Sequence, residues 1–503
     1  MALLTRCQEA HARCMQTDET RRLAGDDTEM GWAADDVQAV HFASHFNGSD
    51  ALLWNIEKDP CLRTTIVAVS LLDRSPDWDR LVERVIDAVA RLPRLRQRVV
   101  AVPALMGVPR WQDDDDFDIT FHLRRVVAPA PADLRAVLDL AGPIAMAAFD
   151  KDRPLWEFTL VEGLTAGRAA FIQKVHHSFT DGVGAVRLAK LLLDPRRRAT
   201  SRQGRPTAVH VPAPSSVWAE ATESLADDLR AAFVTPTRIA RALPRLAAEA
   251  AIDPVAAMRS AMRSVRSAGR LLAPASAPLS PTMTGRGLSR RLETFDVPLA
   301  DLLAAAHAAG SSLNDAFLAG VAGGMRLYHE RHAAPVELLR VAMPVNLRRD
   351  EDDLGNNRFT PVRFELPVAA VDAADRMRQI GELARKWRRE PALPFTDVIA
   401  GILDRLPVGA TTALFGAMLK GVDFVATNVP GLPGRSFLAG AEVIREYAFA
   451  PPSGAAFSVA LLSHGDTCCI GINVDRAAVP DIEVLVDCVV AGFAEVLGVR
   501  GAA

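Results

Sequence analysis

Hydrophobic positions along the chain recur with two periods, that of a β-strand and that of an α-helix. Residues 63–72 and 169–176 are rich in branched apolar side chains and predict strands. Residues 79–92 carry apolar side chains at helical spacing and end at Pro93, which predicts a helix. The same two patterns continue through the C-terminal half, with strands at 291–297, 338–343, 359–366 and 423–427, a hairpin at 456–474, and helices at 313–331 and 481–497.

Composition divides the chain into four segments. Residues 1–45 form a polar leader that we predict to be poorly ordered, and residues 46–200 mix strands and helices. Residues 201–287 are rich in Pro, Arg, Ser and Ala, which predicts a linker followed by a helical connector. Residues 288–503 again mix strands and helices. The predicted architecture is therefore two α/β lobes joined by the connector, with a site in the cleft between them.

The bulk composition is that of a folded globular chain. Hydrophobic residues make up 49% and charged residues 24% of the 503 residues, which is ordinary for such a chain. The formal net charge of −3 gives no indication of nucleic-acid binding. The six cysteines form no C-x-x-C pair, so we predict reduced, buried thiols and neither a zinc site nor a disulfide framework. We likewise predict no metal ion.

No segment predicts a membrane span. The first 35 residues lack the apolar core of a secretory signal peptide, and the apolar stretch at 408–419 is shorter than the roughly 20 residues that a span requires. We expect a cytoplasmic protein, peripheral at a membrane or lipid droplet. Residues 255–272 are a candidate for that contact, because four arginines share one helical face beside an apolar stripe: Arg259, Arg263, Arg266 and Arg270. A helix docked on the enzyme body is the alternative, and it is slightly favoured.

The most distinctive motif is KVHHSFTDGVGAVRL at residues 174–188. His176 and His177 end a predicted strand, and Asp181 and Gly182 lie in the turn before the next helix. A strand end fixes an imidazole at the mouth of a cleft, and its ordinary pKa of about 6.5 suits removal of a hydroxyl proton near neutral pH. Asp181 is predicted to hold the turn, and Gly182 to allow its sharp bend. A buried histidine pair with an Asp-Gly turn is the structural alternative.

Polar residues in the C-terminal half begin a predicted helix or follow predicted strands. In GSSLNDAFLAG at residues 310–320, Ser312 and Asp315 match a helix capping box, and this structural interpretation is favoured. The box does not account for Asn314, whose amide could face the cleft. Arg348 and Asn428 follow strands and are further candidates for lining the cleft, although residues in such places stabilise loops more often than they catalyse.

Taken together, these motifs resemble the bacterial wax ester synthase/diacylglycerol acyltransferase family, within the HHxxxDG acyltransferases. The segments that carry the resemblance are DRPLWEF at 152–158, HHSFTDG at 176–182, SLNDAFLAG at 312–320, MPVNLR at 343–348, LGNNRF at 354–359 and TNVPGLPG at 427–434. The likeness extends from about residue 48 to the C-terminus. Residues 57–73 depart from the family's usual strand entry, which leaves the identity of the acceptor open.

The resemblance implies two chloramphenicol-acetyltransferase-like lobes around a central tunnel. It implies long-chain acyl-CoA as donor, with no other cofactor, and a diacylglycerol or fatty alcohol as acceptor, so that the products are triacylglycerol or wax esters. On this resemblance His177 is the general base, His176 supports it and Asp181 is structural. Asn314 and Asp315 match the family's Asn-Asp motif. No serine or cysteine has the context of an activated nucleophile, so direct transfer is expected.

Two rival functions stay open. A condensation-type acyltransferase with the same histidine motif would use another hydroxyl acceptor or a carrier-bound acyl donor, and we recognise no carrier segment in the sequence. A non-catalytic acyl-lipid binding protein would keep the fold without the reaction. The intact set of His177, Asp181 and Gly182 argues against that second rival.

Overall fold

The structure, a computed structural model, describes residues 44–100, 109–179, 188–198, 277–346, 359–388, 408–432 and 434–499. The helices in these ranges are α1 (Gly48–Ile56), α2 (Trp78–Arg91), α3 (Ile119–His122), α4 (Leu134–Met146), α5 (Leu299–Ala308), α6 (Leu313–Arg331), α7 (Ala373–Arg388), α8 (Val408–Lys420) and α9 (Ile482–Leu497). The strands are β1 (Thr65–Leu72), β2 (Gln97–Val100), β3 (Arg110–Asp113), β4 (Leu123–Val127), β5 (Trp156–Glu162), β6 (Ala169–His176), β7 (Leu193–Asp194), β8 (Arg290–Pro298), β9 (Leu338–Asn346), β10 (Phe359–Pro367), β11 (Phe424–Val429), β12 (Phe437–Leu438), β13 (Ala441–Phe449), β14 (Phe457–His464) and β15 (Thr467–Asp475).

Seven of the described strands form the first sheet, in the order β4–β5–β6–β1–β13–β12–β7. Strand β6 lies inside this sheet and pairs antiparallel with β1, which sets Thr65 opposite His176. Strand β13 comes from the C-terminal half of the chain and pairs with the other edge of β1, with Ser70 opposite Glu446. The inner face packs on α4, and a cluster that includes Val67, Ile172 and Val137 is fully or almost fully buried. Burial of each such side chain contributes about 1.5–3 kcal/mol.

Six of the described strands form the second sheet, in the order β10–β9–β11–β14–β15–β8. Strand β11 runs parallel to both β9 and β14, and the remaining pairs are antiparallel. Helices α6 and α9 pack against each other beside this sheet, and glycines let their backbones touch. A Cβ atom on Gly492 of α9 would lie 2.2 Å from the backbone nitrogen of Gly324 in α6, so a larger residue there would force the two helices apart.

The predicted mixed α/β architecture with two lobes is confirmed, and most predicted elements lie within a few residues of the observed ones. The helix predicted at 313–331 coincides with α6, and the predicted hairpin is the β14–β15 pair. Sequence reasoning missed α1 and β13. Residues 1–43 of the leader, residues 201–276 of the predicted linker and connector at 201–287, and the arginine-rich segment at 255–272 lie outside the described residues. The division of the chain into four segments therefore stays a prediction.

No helix in the described part of the chain is long and apolar enough to cross a membrane. The apolar stretch at 408–419 belongs to α8, and the Thr412 hydroxyl of that helix donates a hydrogen bond to the Asn55 carbonyl of α1, with an oxygen–oxygen distance of 3.3 Å. Four cysteines are described, and each is a free thiol: Cys61, Cys468, Cys469 and Cys488.

Candidate active site

Strand β6 ends at the histidine pair, and two backbone hydrogen bonds fix the position of that end. The N–H of His176 donates to the Leu155 carbonyl, and the N–H of His177 donates to the Thr64 carbonyl, each over 3.1 Å. The chain then turns, because the N–H of Phe179 returns to the His176 carbonyl. The histidines therefore lie where an interior strand of the first sheet stops, as the sequence predicted.

His176 is enclosed, with 1% of its surface exposed. Its Nδ1 atom accepts from the backbone N–H of Ser178 over 3.1 Å and lies 2.6 Å from the Ser178 hydroxyl. Because Nδ1 is an acceptor, the ring proton belongs on Nε2. Nε2 lies 3.0 Å from the Glu57 carboxylate, and the rings of Trp54 and Phe149 contact the imidazole edge to face.

Glu57 is the buried anion of this cluster. Its Oε1 atom also accepts from the backbone N–H and the hydroxyl of Thr64, over 2.7 and 2.9 Å. Burial alone would raise the pKa of the Glu57 carboxyl, but the interaction with His176, together with the hydrogen bonds from Thr64, lowers the pKa to about 2. A carboxylate that accepts several hydrogen bonds stays ionised. It therefore ties together the end of α1, the start of β1 and the end of β6.

His177 differs from its neighbour because it is half-buried rather than enclosed. Its main chain is held by Thr64, whose side chain is held in turn by Glu57. The arrangement gives a chemically accessible imidazole on a rigid strand end. Such an imidazole can take and return a proton without moving its backbone, which is what general acid–base catalysis requires.

The second sheet carries the other described candidates. The capping box at the start of α6 is confirmed: the Asp315 N–H donates to the Ser312 hydroxyl, and the Asp315 carboxylate accepts from the Ser312 N–H. Between them in sequence, Asn314 is half-buried, with its Nδ2 atom 3.9 Å from the Met343 sulfur in β9. The Oδ1 atom of Asn314 is buried and has no hydrogen bond to any described residue.

Asn428 is half-buried near the end of β11. The parallel register sets Phe424 of β11 opposite Val341 of β9, so Asn428 lies at the same edge of the second sheet as Met343, the contact of Asn314. The structure thus brings Asn314 and Asn428 to one sheet edge, and the two histidines to the end of β6. Asp181, Gly182 and Arg348 lie outside the described residues, and their predicted roles stay predictions.

Sequence reasoning missed Glu57, Thr64 and Ser178. Thr64 and His176 are 112 residues apart in the chain, so no local spacing reveals their contact. Ser178 lies inside the HHSFTDG segment and was visible there, but only its ring contact shows that it sets the tautomer of His176. Glu57 is the C-cap residue of α1, and a carboxylate gains nothing from the dipole at a helix C-terminus, so its position in the sequence does not predict its function.

A second serine–histidine contact occurs in the second lobe. The Ser280 hydroxyl lies 2.8 Å from Nε2 of His329, whose Nδ1 lies 2.8 Å from the Met325 carbonyl oxygen. Both residues are closed from solvent, with exposures of 1% and 0%. Within the described ranges, no group of three or more His, Cys, Asp or Glu side chains is placed to hold a metal ion.

The two sheets define the class of fold: two lobes of the chloramphenicol-acetyltransferase-like type. Strand β13 crosses between the halves of the chain, and the histidine pair lies at a strand end. The solved wax ester synthase/diacylglycerol acyltransferase of Marinobacter aquaeolei VT8 shares the fold with a TM-score of 0.57, at 22% identity, over 90% of this chain and 98% of that one. The first condensation domain of the CDA synthetase matches with a TM-score of 0.60, at 18% identity, over 93% and 98%.

Sequence comparison gives the family. The model described as the wax ester synthase/diacylglycerol acyltransferase catalytic domain matches residues 46–317, and the C-terminal domain model matches residues 355–496. A Mycobacterium tuberculosis (strain H37Rv) protein named "Putative diacyglycerol O-acyltransferase" is 38% identical over 472 residues, which are 93% of this chain and 94% of that protein. The chain belongs to the wax ester synthase/diacylglycerol acyltransferase family and is an acyltransferase.

Proposed function

We propose that this enzyme transfers the acyl group of a long-chain acyl-CoA to the free hydroxyl of diacylglycerol and forms triacylglycerol. A fatty alcohol is the second acceptor, which yields a wax ester. The observation that carries the proposal is the half-buried His177 beside the anchored His176. The name of the mycobacterial relative supports the diacylglycerol acceptor. Support for the donor comes from a starter condensation domain of rhizomide synthetase, which shares the fold and was solved with C8-CoA.

The reaction is one direct acyl transfer. The imidazole of His177 takes the proton of the acceptor hydroxyl while the oxygen attacks the thioester carbonyl carbon. The tetrahedral oxyanion then collapses, the carbon–sulfur bond breaks, and the imidazolium returns the proton to the departing thiolate. The products are a neutral ester and free coenzyme A, so protons and electrons balance and His177 ends in its starting state.

Asn314 is the described residue that we assign to the oxyanion. Its Nδ2 group contacts only a thioether among the described residues, and sulfur is a weak acceptor. A developing oxyanion is a much stronger acceptor, so the amide interacts more tightly with the transition state than with the resting enzyme. Loss of one such donor typically costs about 10²–10³ in kcat.

Direct transfer is favoured over a covalent acyl-enzyme by the environments of three described nucleophiles. Burial raises the pKa values of Cys468 and Cys469 to about 12, so neither supplies a thiolate near neutral pH. Ser280 has a histidine partner, but the pair is closed from solvent and no substrate reaches it in this conformation. A nucleophile has to meet the substrate carbonyl as well as its base.

A labelled-donor assay tests the function. Purified full-length enzyme is given radiolabelled palmitoyl-CoA with diolein, with hexadecanol, or with no acceptor. We expect labelled triacylglycerol as the main product and wax ester as the lesser one. A carrier-bound acyl thioester is the control donor for the condensation-type rival. Turnover only with that donor, or tight binding of palmitoyl-CoA without any ester, would contradict the proposal.

We also propose that the enzyme works in the cytoplasm, peripherally at a membrane or lipid-droplet surface. Its acceptor and product are insoluble, and the arginines at 259, 263, 266 and 270 fall on one face if residues 255–272 are helical. Replacing the four arginines with glutamine should release the protein from anionic vesicles in a flotation assay. Equal flotation of the variant and the wild type would contradict this role for the arginines.

A further inference from the structure

A cavity of about 800 Å³ opens where α1 ends against helix α8. Lys58 and Asp59, which follow α1, line one side of it, and Arg286 of the segment before β8 lines another. The volume falls within the range of about 300–1,000 Å³ that small-molecule sites occupy. Residues from both lobes line this cavity, because α1 belongs to the first lobe and α8 and Arg286 belong to the second.

Helix α8 lines the cavity with a face of small residues. These recur three or four positions apart and end in a lysine: Gly409, Thr412, Ala413, Gly416, Ala417 and Lys420. A Cβ atom built on Gly409 would have no atom within 4 Å, and Ala413 and Ala417 are exposed. The absence of large side chains from this face keeps the space open for a ligand that lies along the helix.

The charges in the cavity wall are mainly positive. The lining contains three cationic residues, Lys58, Arg286 and Lys420, and one anionic residue, Asp59. The Oδ2 atom of Asp59 lies 2.5 Å from the Lys420 amine. The guanidinium of Arg286 donates to five backbone carbonyls, including those of Gly454 and Val422, so it contributes fixed charge rather than free donors. The Lys420 side chain is 40% exposed, and Lys58 is exposed as well.

More cations lie within electrostatic reach of Lys58. The pKa of Lys151 is lowered, mainly by burial. Attraction by Glu57 opposes this effect, and repulsion from Lys58 and Arg63 adds to it. Lys151 itself lies over the ring of Trp54, with its amine 4.0 Å from the centroid. A cluster of this sign beside an open cavity attracts multiply charged anions such as phosphates.

The cavity begins one residue from the anchor of the catalytic pair. Lys58 directly follows Glu57, whose carboxylate holds both His176 and Thr64. A ligand that occupies this cavity and reacts at His177 needs an anionic group that is separate from its reacting carbonyl. Diacylglycerol carries no charge and does not match the lining, whereas a coenzyme A thioester does.

We propose that this cavity binds the phosphate-bearing nucleotide end of the acyl-CoA donor, with Lys58 and Lys420 as its cationic contacts. The proposal rests on the proposed function and names the site that anchors its donor. Ammonium groups bind phosphates as point charges, and Asp59 holds one of the two in place through its ion pair.

Binding of 3′,5′-ADP to the full chain, measured by calorimetry, tests the site without any turnover. Lys58→Glu should weaken binding roughly five- to tenfold, because reversing one charge near a phosphate costs at least about 1 kcal/mol even in water. Ala417→Trp, which places an indole ring in the cavity beside Lys420, should weaken binding at least as much. The matched control is Arg168→Glu, a charge reversal at the opposite end of β6, which should bind like the wild type. A wild type that does not bind 3′,5′-ADP, or variants that bind it equally well, would overturn the proposal.

A kinetic comparison separates the site from the reaction. In Lys58→Glu, KM for palmitoyl-CoA should rise five- to tenfold at unchanged kcat, while KM for palmitoyl-pantetheine, which lacks the nucleotide, should not change. An equal rise for both donors would contradict the assignment. Should the wild type form no ester at all, the proposed function fails, and the 3′,5′-ADP measurements still decide whether the cavity is a nucleotide site.

Discussion

His176 and His329 are both enclosed imidazoles with hydrogen-bonding partners at both ring nitrogens, yet only one of them adjoins a candidate catalytic group. His176 lies between Glu57 and Ser178 at the end of β6. His329 lies between Ser280 and the Met325 carbonyl inside α6. Each has a serine hydroxyl within hydrogen-bonding distance, so the pairing of serine with histidine does not distinguish the two places.

The difference lies in charge and in the next residue of the chain. A buried carboxylate faces His176, and the following residue, His177, is half-buried at a strand end. Burial lowers the pKa of His329, and the next imidazole along the chain, His332, is tied to the Asp481 carboxylate. An enclosed histidine therefore stabilises the fold in both places, and in the first lobe it also positions a neighbour that can meet substrate.

The comparison is tested most strongly by His176→Ala. The substitution leaves the Glu57 carboxylate buried without its histidine and opens a gap between Trp54 and Phe149. We expect the free energy of unfolding to fall by about 3 kcal/mol, because a buried carboxylate that loses its hydrogen-bond donor is costly and the cavity left by the imidazole adds to that cost. Urea denaturation measures this. If the variant is as stable as the wild type, the contact between His176 and Glu57 does not stabilise the end of β6.

Glu57→Gln is the more conservative test of the same cluster. Glutamine keeps an oxygen acceptor for Thr64 but loses the charge, so kcat should fall about tenfold while KM for both substrates stays within twofold. Glu162→Gln is the matched control, because Glu162 lies at the far end of β5 and pairs with Arg125 at the surface. A rise in KM at constant kcat would instead place Glu57 in substrate binding.

Acid should remove the stability that Glu57 contributes. The folded pKa of Glu57, about 2, lies below its ordinary value of 4.5, so its contribution is complete above about pH 4.5 and is lost as the pH falls towards 2. The full contribution is about 3 kcal/mol. The difference in unfolding free energy between the wild type and Glu57→Gln should therefore shrink over this window. A difference that stays constant from pH 6 to pH 3 would contradict the assigned pKa.

Ser280→Ala should have the smallest effect on activity. The Ser280 hydroxyl lies within hydrogen-bonding distance of His329 and accepts from the N–H of Met283. Its loss should therefore lower the free energy of unfolding by about 1–3 kcal/mol. Activity per folded molecule should stay within twofold of wild type. A loss of activity as large as that of a catalytic variant would make the Ser280–His329 pair the reaction centre and reverse the comparison.

Local patterns predicted the elements that carry the candidate site, but not the contacts among them. The strand at 169–176 follows from its run of apolar residues, and the capping box at Ser312 and Asp315 follows from spacing alone. In both cases the physical cause lies within a few residues. The HHSFTDG segment was sufficient to single out the histidine pair.

Long-range pairings were not predictable in the same way. Strand β13 joins the first sheet although Ser70 and its partner Glu446 are separated by most of the chain, and nothing in its own sequence shows which sheet it enters. Glu57 was missed for the same reason, because its function depends on the approach of β6. Its low pKa arises only when His176 and Thr64 surround it.

The central claim is that His177 is the base. The most direct measurement is the rate of labelled triacylglycerol formation by His177→Ala at a folded fraction equal to that of wild type, confirmed by its unfolding midpoint. Because a positioned general base contributes roughly 10²- to 10⁴-fold, we expect a loss of that size at nearly unchanged stability. A rate within tenfold of wild type would contradict the assignment of His177.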